Sequence, residues 1–103
     1  MPEYLCSFKV NASKQIDDPK GSYEAVKATF AAADEMMKAG ILKHFWGTGV
    51  ATGVLIVELP SFEEAYNLGI RFFPGMSMDI QGLVPYDKVK EMTLSLWKQA
   101  AEQ

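Results

Sequence analysis

The stretch Thr52-Gly53-Val54-Leu55-Ile56-Val57-Glu58-Leu59 decides the fold. Gly53, Leu55, Val57 and Leu59 alternate onto one face, while Val54 and Ile56 fill the other. A strand that is apolar on both faces has to be covered on both sides. The rest of the chain must supply those covers, or leave one to a partner.

Immediately upstream, Ile41 to Trp46 is strand-like, with Leu42, His44 and Trp46 on one face and Ile41, Lys43 and Phe45 on the other. Gly47, Gly49 and Gly53 bracket Thr48, Val50, Ala51 and Thr52, which predicts a hairpin with residues at positive φ. Farther upstream, Glu3 to Val10 alternates as a strand, Tyr4, Cys6, Phe8 and Val10 against Leu5, Ser7 and Lys9. Asn11 to Gly21 is polar and ends that strand. A helix then starts at Asp18-Pro19, where a proline loses no needed N–H, or one turn later at Ser22. Val26, Phe30, Ala33 and Met37 give it one apolar stripe, and Gly40 supplies the left-handed residue after its last turn.

Downstream, Ser61 and Glu64 stand at capping-box spacing, so Pro60-Ser61-Phe62-Glu63-Glu64 opens a second helix. It carries Ala65, Leu68 and Phe72 and stops before Pro74-Gly75. Met78 to Val84 alternates again, Met78, Ile80, Gly82 and Val84 opposite Asp79, Gln81 and Leu83. Pro85 and Asp87 introduce a terminal helix with Val89, Met92, Leu96 and Trp97.

The order βαββαβ plus a helix predicts an α+β domain over residues 1–103, a ferredoxin-like antiparallel sheet with the first and third strands central. Two helices cover one face, and nothing in the chain covers the other unless the last helix swings round. The other face is too apolar to lie in water, so a second copy of the chain is expected to cover it, giving a homodimer of the α/β-barrel kind.

A length of 103 residues accommodates one domain and no separate cofactor-binding half. Hydrophobic residues at 49% and charged residues at 22% exclude disorder. Ten Lys and Arg against thirteen Asp and Glu give a net charge of −3, a poor footprint for nucleic acid. The single cysteine, Cys6, excludes an internal disulfide and fits a reducing compartment. No eighteen-residue apolar run exists, and Met1-Pro2-Glu3 lacks the basic start of a signal peptide, so a cytoplasmic protein without membrane contact is expected.

Two segments resemble the dimeric α/β-barrel superfamily, and within it the muconolactone isomerase family. Gly40-Ile41-Leu42-Lys43-His44-Phe45-Trp46 is similar to its Gly, basic residue, His, apolar residue and Trp at the second strand. Phe73-Pro74 and Met78-Asp79-Ile80 are similar to a Phe-Pro-x-Met-Asp-Ile pattern, with three residues here where the family has one. Leu5 and Ser7 stand where the family carries charged or imidazole groups. The resemblance implies a cofactor-independent isomerase that moves a ring double bond in a small lactone or aromatic-derived acid. In that reading His44 shuttles the proton, Asp79 is a second acid or base, and Trp46 positions the ring.

His44 is the only histidine, and its ordinary pKa of about 6.5 suits proton transfer in both directions. Beside Trp46 and Leu42 it is expected to line a pocket; the alternative is a half-buried strand residue bonded to backbone or held at an interface. Asp79 and Glu58 lie in strands, where partial burial can raise a carboxylate pKa and suit it to acid–base work; the alternative is that both are solvated near strand ends. Tyr4, Tyr66, Phe72 and Trp46 are candidates for an aromatic pocket wall, or else simple core. No His/Cys spacing suits a metal, and no nucleotide-binding glycine motif is present, so neither metal nor cofactor is expected. The competing function is a non-catalytic barrel that binds a small ligand or only assembles, motivated by the few convergent polar groups and no evident cationic clamp on the strands.

Overall fold

The computed structural model describes residues 1–11, 19–73 and 75–102. Along the chain run β1 (Glu3–Val10), α1 (Pro19–Lys38), β2 (Leu42–Gly49), β3 (Thr52–Glu58), α2 (Phe62–Phe72), β4 (Met76–Leu83) and α3 (Tyr86–Ala101). The proposed start at Asp18, most of the Asn11–Gly21 loop, and Pro74 lie outside the described residues. The α+β architecture and the element order agree with the sequence pattern. The four strands form one antiparallel sheet in the order β2-β3-β1-β4, so the first and third strands are the central ones, as expected.

The core lies on one side of this sheet. Tyr4 and Cys6 of β1, Leu55 and Val57 of β3 and Leu42 of β2 are buried there beneath Ala65 and Leu68 of α2. Ala65, Leu68 and Phe72 recur at spacings of three and four, which turns one helix face to the strands. Ser61 caps α2, its hydroxyl accepting from the Glu64 N–H at 3.3 Å. Gly40 closes α1 at φ 76°, the left-handed position its sequence context demanded.

Three expectations need correction. The strict alternation of Leu42, His44 and Trp46 is broken by a bulge at Lys43: Leu42 pairs with Val57, but His44 pairs with Ile56. The extra residue turns Leu42 and Phe45 toward the helices and leaves His44 and Trp46 on the opposite face. The hairpin across Val50 and Ala51 uses no positive φ, because Gly40 is the only described residue with one. On α1, the row turned to the core is Ala33 and Met36, with Val26, Phe30 and Met37 exposed. Ala33 belongs to both rows. Small Ala33 allows the helix to approach the sheet, and longer Met36 then fills the gap toward β2; Phe30 is displaced to the flank.

The terminal helix stands apart. None of its residues is buried, and the chain measures 67 × 27 × 22 Å with a radius of gyration of 18.0 Å. A compact chain of this length has a radius near 13 Å. The excess is α3, which on its own spans about 24 Å.

Candidate functional site

Register fixes which side chains share the face opposite the helices. One row across the sheet is His44, Ile56, Leu5 and Gln81, and the next is Trp46, Val54, Ser7 and Asp79. A third holds Thr52, Lys9 and Ser77, and a fourth Glu58, Glu3 and Leu83. Leu5, Val54 and Ile56 are half-buried, and Trp46 is exposed. No described helix packs over these rows: the core residues under α1 and α2 all point the other way, and α3 buries nothing.

His44 and Trp46, two residues apart, stack with ring centroids 5.0 Å apart and an interplanar angle of 9°. The pair makes a flat aromatic platform with ring N–H groups at its rim. Asp79 shares the face but not the neighbourhood. Three strand spacings separate β2 from β4, so the imidazole and the carboxylate stand roughly 15 Å apart. Within one chain His44 and Asp79 therefore form no assembled acid–base pair.

The expected aromatic wall is dispersed. Tyr4 is buried in the core, edge-on to Phe62 with centroids 6.1 Å apart. Phe72, at the other end of α2, is half-buried and lines an apolar cavity of about 30 Å³ between α1 and the sheet. Tyr66 is exposed on α2, where it borders a groove of about 350 Å³ against β4. Only Trp46 remains with His44. Leu42, expected beside them, is on the helix side.

Lys9 is the residue that sequence reading passed over as a clamp. It lies on the open face between Thr52 and Ser77, one row beyond Trp46 and Asp79, and supplies a cation there. Its parity with Leu5 and Ser7 was the available signal. Among the described residues no group of three His, Cys, Asp or Glu side chains could hold a metal ion, and no described helix is long and apolar enough to cross a membrane.

Glu58 shifts down, opposite to the raised pKa that was one of its two readings. Lys43 Nζ lies 3.2 Å from its Oε2 and the terminal ammonium of Met1 lies 3.4 Å from its Oε1. The Lys43 hydrogen bond and charge hold the carboxyl below its ordinary range, and the weak desolvation that opposes them does not prevail. A depressed folded pKa gives stability that is present above the unfolded value and lost as pH falls through the folded one. Lys43→Met is therefore expected to lower the denaturant midpoint at pH 7, with the difference from wild type shrinking below about pH 4. A difference that persists unchanged at low pH contradicts the pairing. Cys6, fully buried, has its thiol pushed up by desolvation, which keeps it protonated and inert.

Compared with known proteins, the chain matches no family model and no curated protein sequence. The functional reading therefore stands on the face itself.

Proposed function

We propose that the chain works as a homodimer in which two sheets meet across their open faces and enclose a pocket for a small, flat organic molecule. One observation carries this reading: the uncovered face presents Leu5, Val54, Ile56 and Trp46 around its centre, with no described residue of the same chain above them. An apolar face of that extent favours an apolar cover. A second copy brings an identical patch and closes with two-fold symmetry, without open-ended growth. His44, Lys9 and Asp79 then border an enclosed space in place of bulk water. The His44–Trp46 stack suits a planar ring, and Lys9 suits its acidic substituent.

The sheet order is compatible with a ferredoxin-like fold, and the resemblance of Gly40–Trp46 and Met78–Ile80 to the dimeric α/β-barrel superfamily supports the same pairing. A reduced, buried Cys6 accords with work in the cytoplasm.

Catalysis is the second reading, favoured by the common face of His44 and Asp79. A cofactor-independent isomerase would use His44 to remove a proton next to a lactone carbonyl and return it farther along the ring, shifting the double bond. β2 and β4 are the opposite edges of the sheet, so two-fold apposition carries the acid of one copy toward the imidazole of the other.

Sedimentation equilibrium separates pairing from isolation: a dimer is expected, and a chain that stays single at high concentration overturns both readings. Calorimetric titration with a butenolide acid then tests the pocket. Trp46→Ala is expected to weaken binding by about tenfold, the worth of one aromatic contact. His44→Ala is expected to abolish deuterium exchange at the ring while leaving binding within a few-fold. Binding without exchange in the unaltered protein leaves the ligand-binding reading and removes the isomerase.

A further inference from the structure

We infer that α3 is an arm that leaves its own chain and packs into the groove between α2 and β4 of a second copy. At about 100° per residue, Tyr86, Val89, Met92, Leu96, Trp97 and Ala100 fall on one side of this helix. Asp87, Lys88, Glu91, Lys98 and Glu102 fall on the other. The apolar side is bare: Met92 and Leu96 are each 65% exposed, and Trp97 is 68% exposed. A helix of 16 residues is marginal alone in water, so this one requires something to pack against.

No described residue of its own chain buries that apolar side. Only Val84 and Pro85 separate α3 from β4, Pro85 is extended at φ −61° and ψ 150°, and the helix runs outward along the 67 Å dimension. Yet the same chain holds an empty apolar groove of about 350 Å³, walled by Tyr66, Ile70 and Phe73 and floored by Met78 and Ile80. Each copy thus has an apolar helix without a seat and an apolar seat without a helix. Reciprocal exchange satisfies both in a closed two-fold assembly.

Area and charge favour a second copy as occupant. Each large apolar side chain brings on the order of 100 Å² into contact. Two arms in two grooves therefore bury on the order of 1,600 Å², the size of a standard stable interface. A helix that seeks a lipid surface carries a cationic polar face. Here Lys88, Lys90 and Lys98 are balanced by Asp87, Glu91 and Glu102. The exchange goes beyond the facing-sheet pairing, since it rests on α3, α2 and the helix-side residues Met78 and Ile80 of β4.

Because Cys6 is the only cysteine and is fully buried, single introduced thiols report contacts in the full chain. A Leu96→Cys chain mixed with an Ile70→Cys chain is expected to form a mixed disulfide at least about tenfold faster than with a Glu24→Cys control, through the high effective concentration of docked thiols. Adding Met92→Glu to the Leu96→Cys chain is expected to return the rate to the control. Equal rates for the two pairs, faster linking of Leu96→Cys to itself, or sedimentation with phosphatidylserine vesicles in place of cross-linking overturns the exchange. Control-level cross-linking in a sample that still sediments as a dimer rejects the arm and leaves the facing sheets standing. Rapid cross-linking that persists in an Ile56→Asp background supports the arm without the sheet pairing.

Discussion

Val57→Asp is expected to leave the chain unfolded at 25 °C, whereas Ile56→Asp, one residue away, is expected to leave it folded with its self-association weakened. Val57 is fully buried and pairs with Tyr4 and Leu42, in the middle of the helix-side core. Losing its burial costs about 1.5–3 kcal/mol. An unpaired carboxylate in its place costs several kcal/mol more. A domain of this size holds roughly 5–15 kcal/mol in all, so the sum consumes most or all of it. Ile56 points to the opposite face, where its row neighbours are His44 and Leu5. In a single chain an aspartate there sits at a half-buried position with no helix over it, at a cost of about 1–2 kcal/mol. Between two apposed sheets the same carboxylate is stripped of water against an apolar face, which the sheet-to-sheet contact cannot sustain. Circular dichroism and sedimentation equilibrium read both outcomes. A dimer of wild-type strength in Ile56→Asp removes the facing-sheet pairing, and a folded Val57→Asp contradicts the placement of the core.

That contrast turns on parity within β3, which was legible in the sequence because an alternating run fixes its own two faces. The α2 cap at Ser61 and the stop at Gly40 were legible for a similar reason: each rests on residues within one turn of each other. What could not be read lay between elements. The bulge at Lys43 arises where β2 pairs with β3, and it moved Leu42 away from His44 and Trp46. The choice of Ala33 and Met36 over Val26 and Phe30 depends on how closely α1 lies on the sheet. Tyr4, Tyr66, Phe72 and Trp46 share aromatic character but lie in the core, in the groove, beside the small cavity and on the open face. The separation of His44 from Asp79 follows from strand order, which periodicity does not encode. Lys9 was assigned to the correct side of its strand, yet its value as a cation emerges only beside Thr52 and Ser77.

Gly53→Ala is expected to destabilise the fold by about 1–3 kcal/mol although it adds only one methyl group. Gly53 has no unusual φ; it is needed for space. A Cβ there would stand 2.5 Å from Phe8 Cε1 and Cζ and 2.7 Å from the Trp46 carbonyl oxygen. Neither neighbour yields easily. The Phe8 ring packs against Phe45 with centroids 5.5 Å apart, and the carbonyl belongs to the backbone of β2. Relief requires turning that ring toward the cavity of about 30 Å³ that it lines, too small to take it whole, or pushing β2 outward at Trp46. The second route displaces the His44–Trp46 platform from the helix side of the sheet, so a core substitution is expected to weaken ligand binding at a face it never touches. Thermal unfolding should fall by roughly 4–8 °C for each kcal/mol lost. Phe8→Leu in the Gly53→Ala chain distinguishes the two routes through a double-mutant cycle, with a coupling of about 1 kcal/mol expected if the ring is the main obstacle. No coupling, together with shifted amide resonances at Trp46, assigns the strain to the β2 backbone. A Gly53→Ala chain as stable as wild type contradicts the close approach of β2 and β1 around this glycine, and with it the rigidity that holds the platform in place.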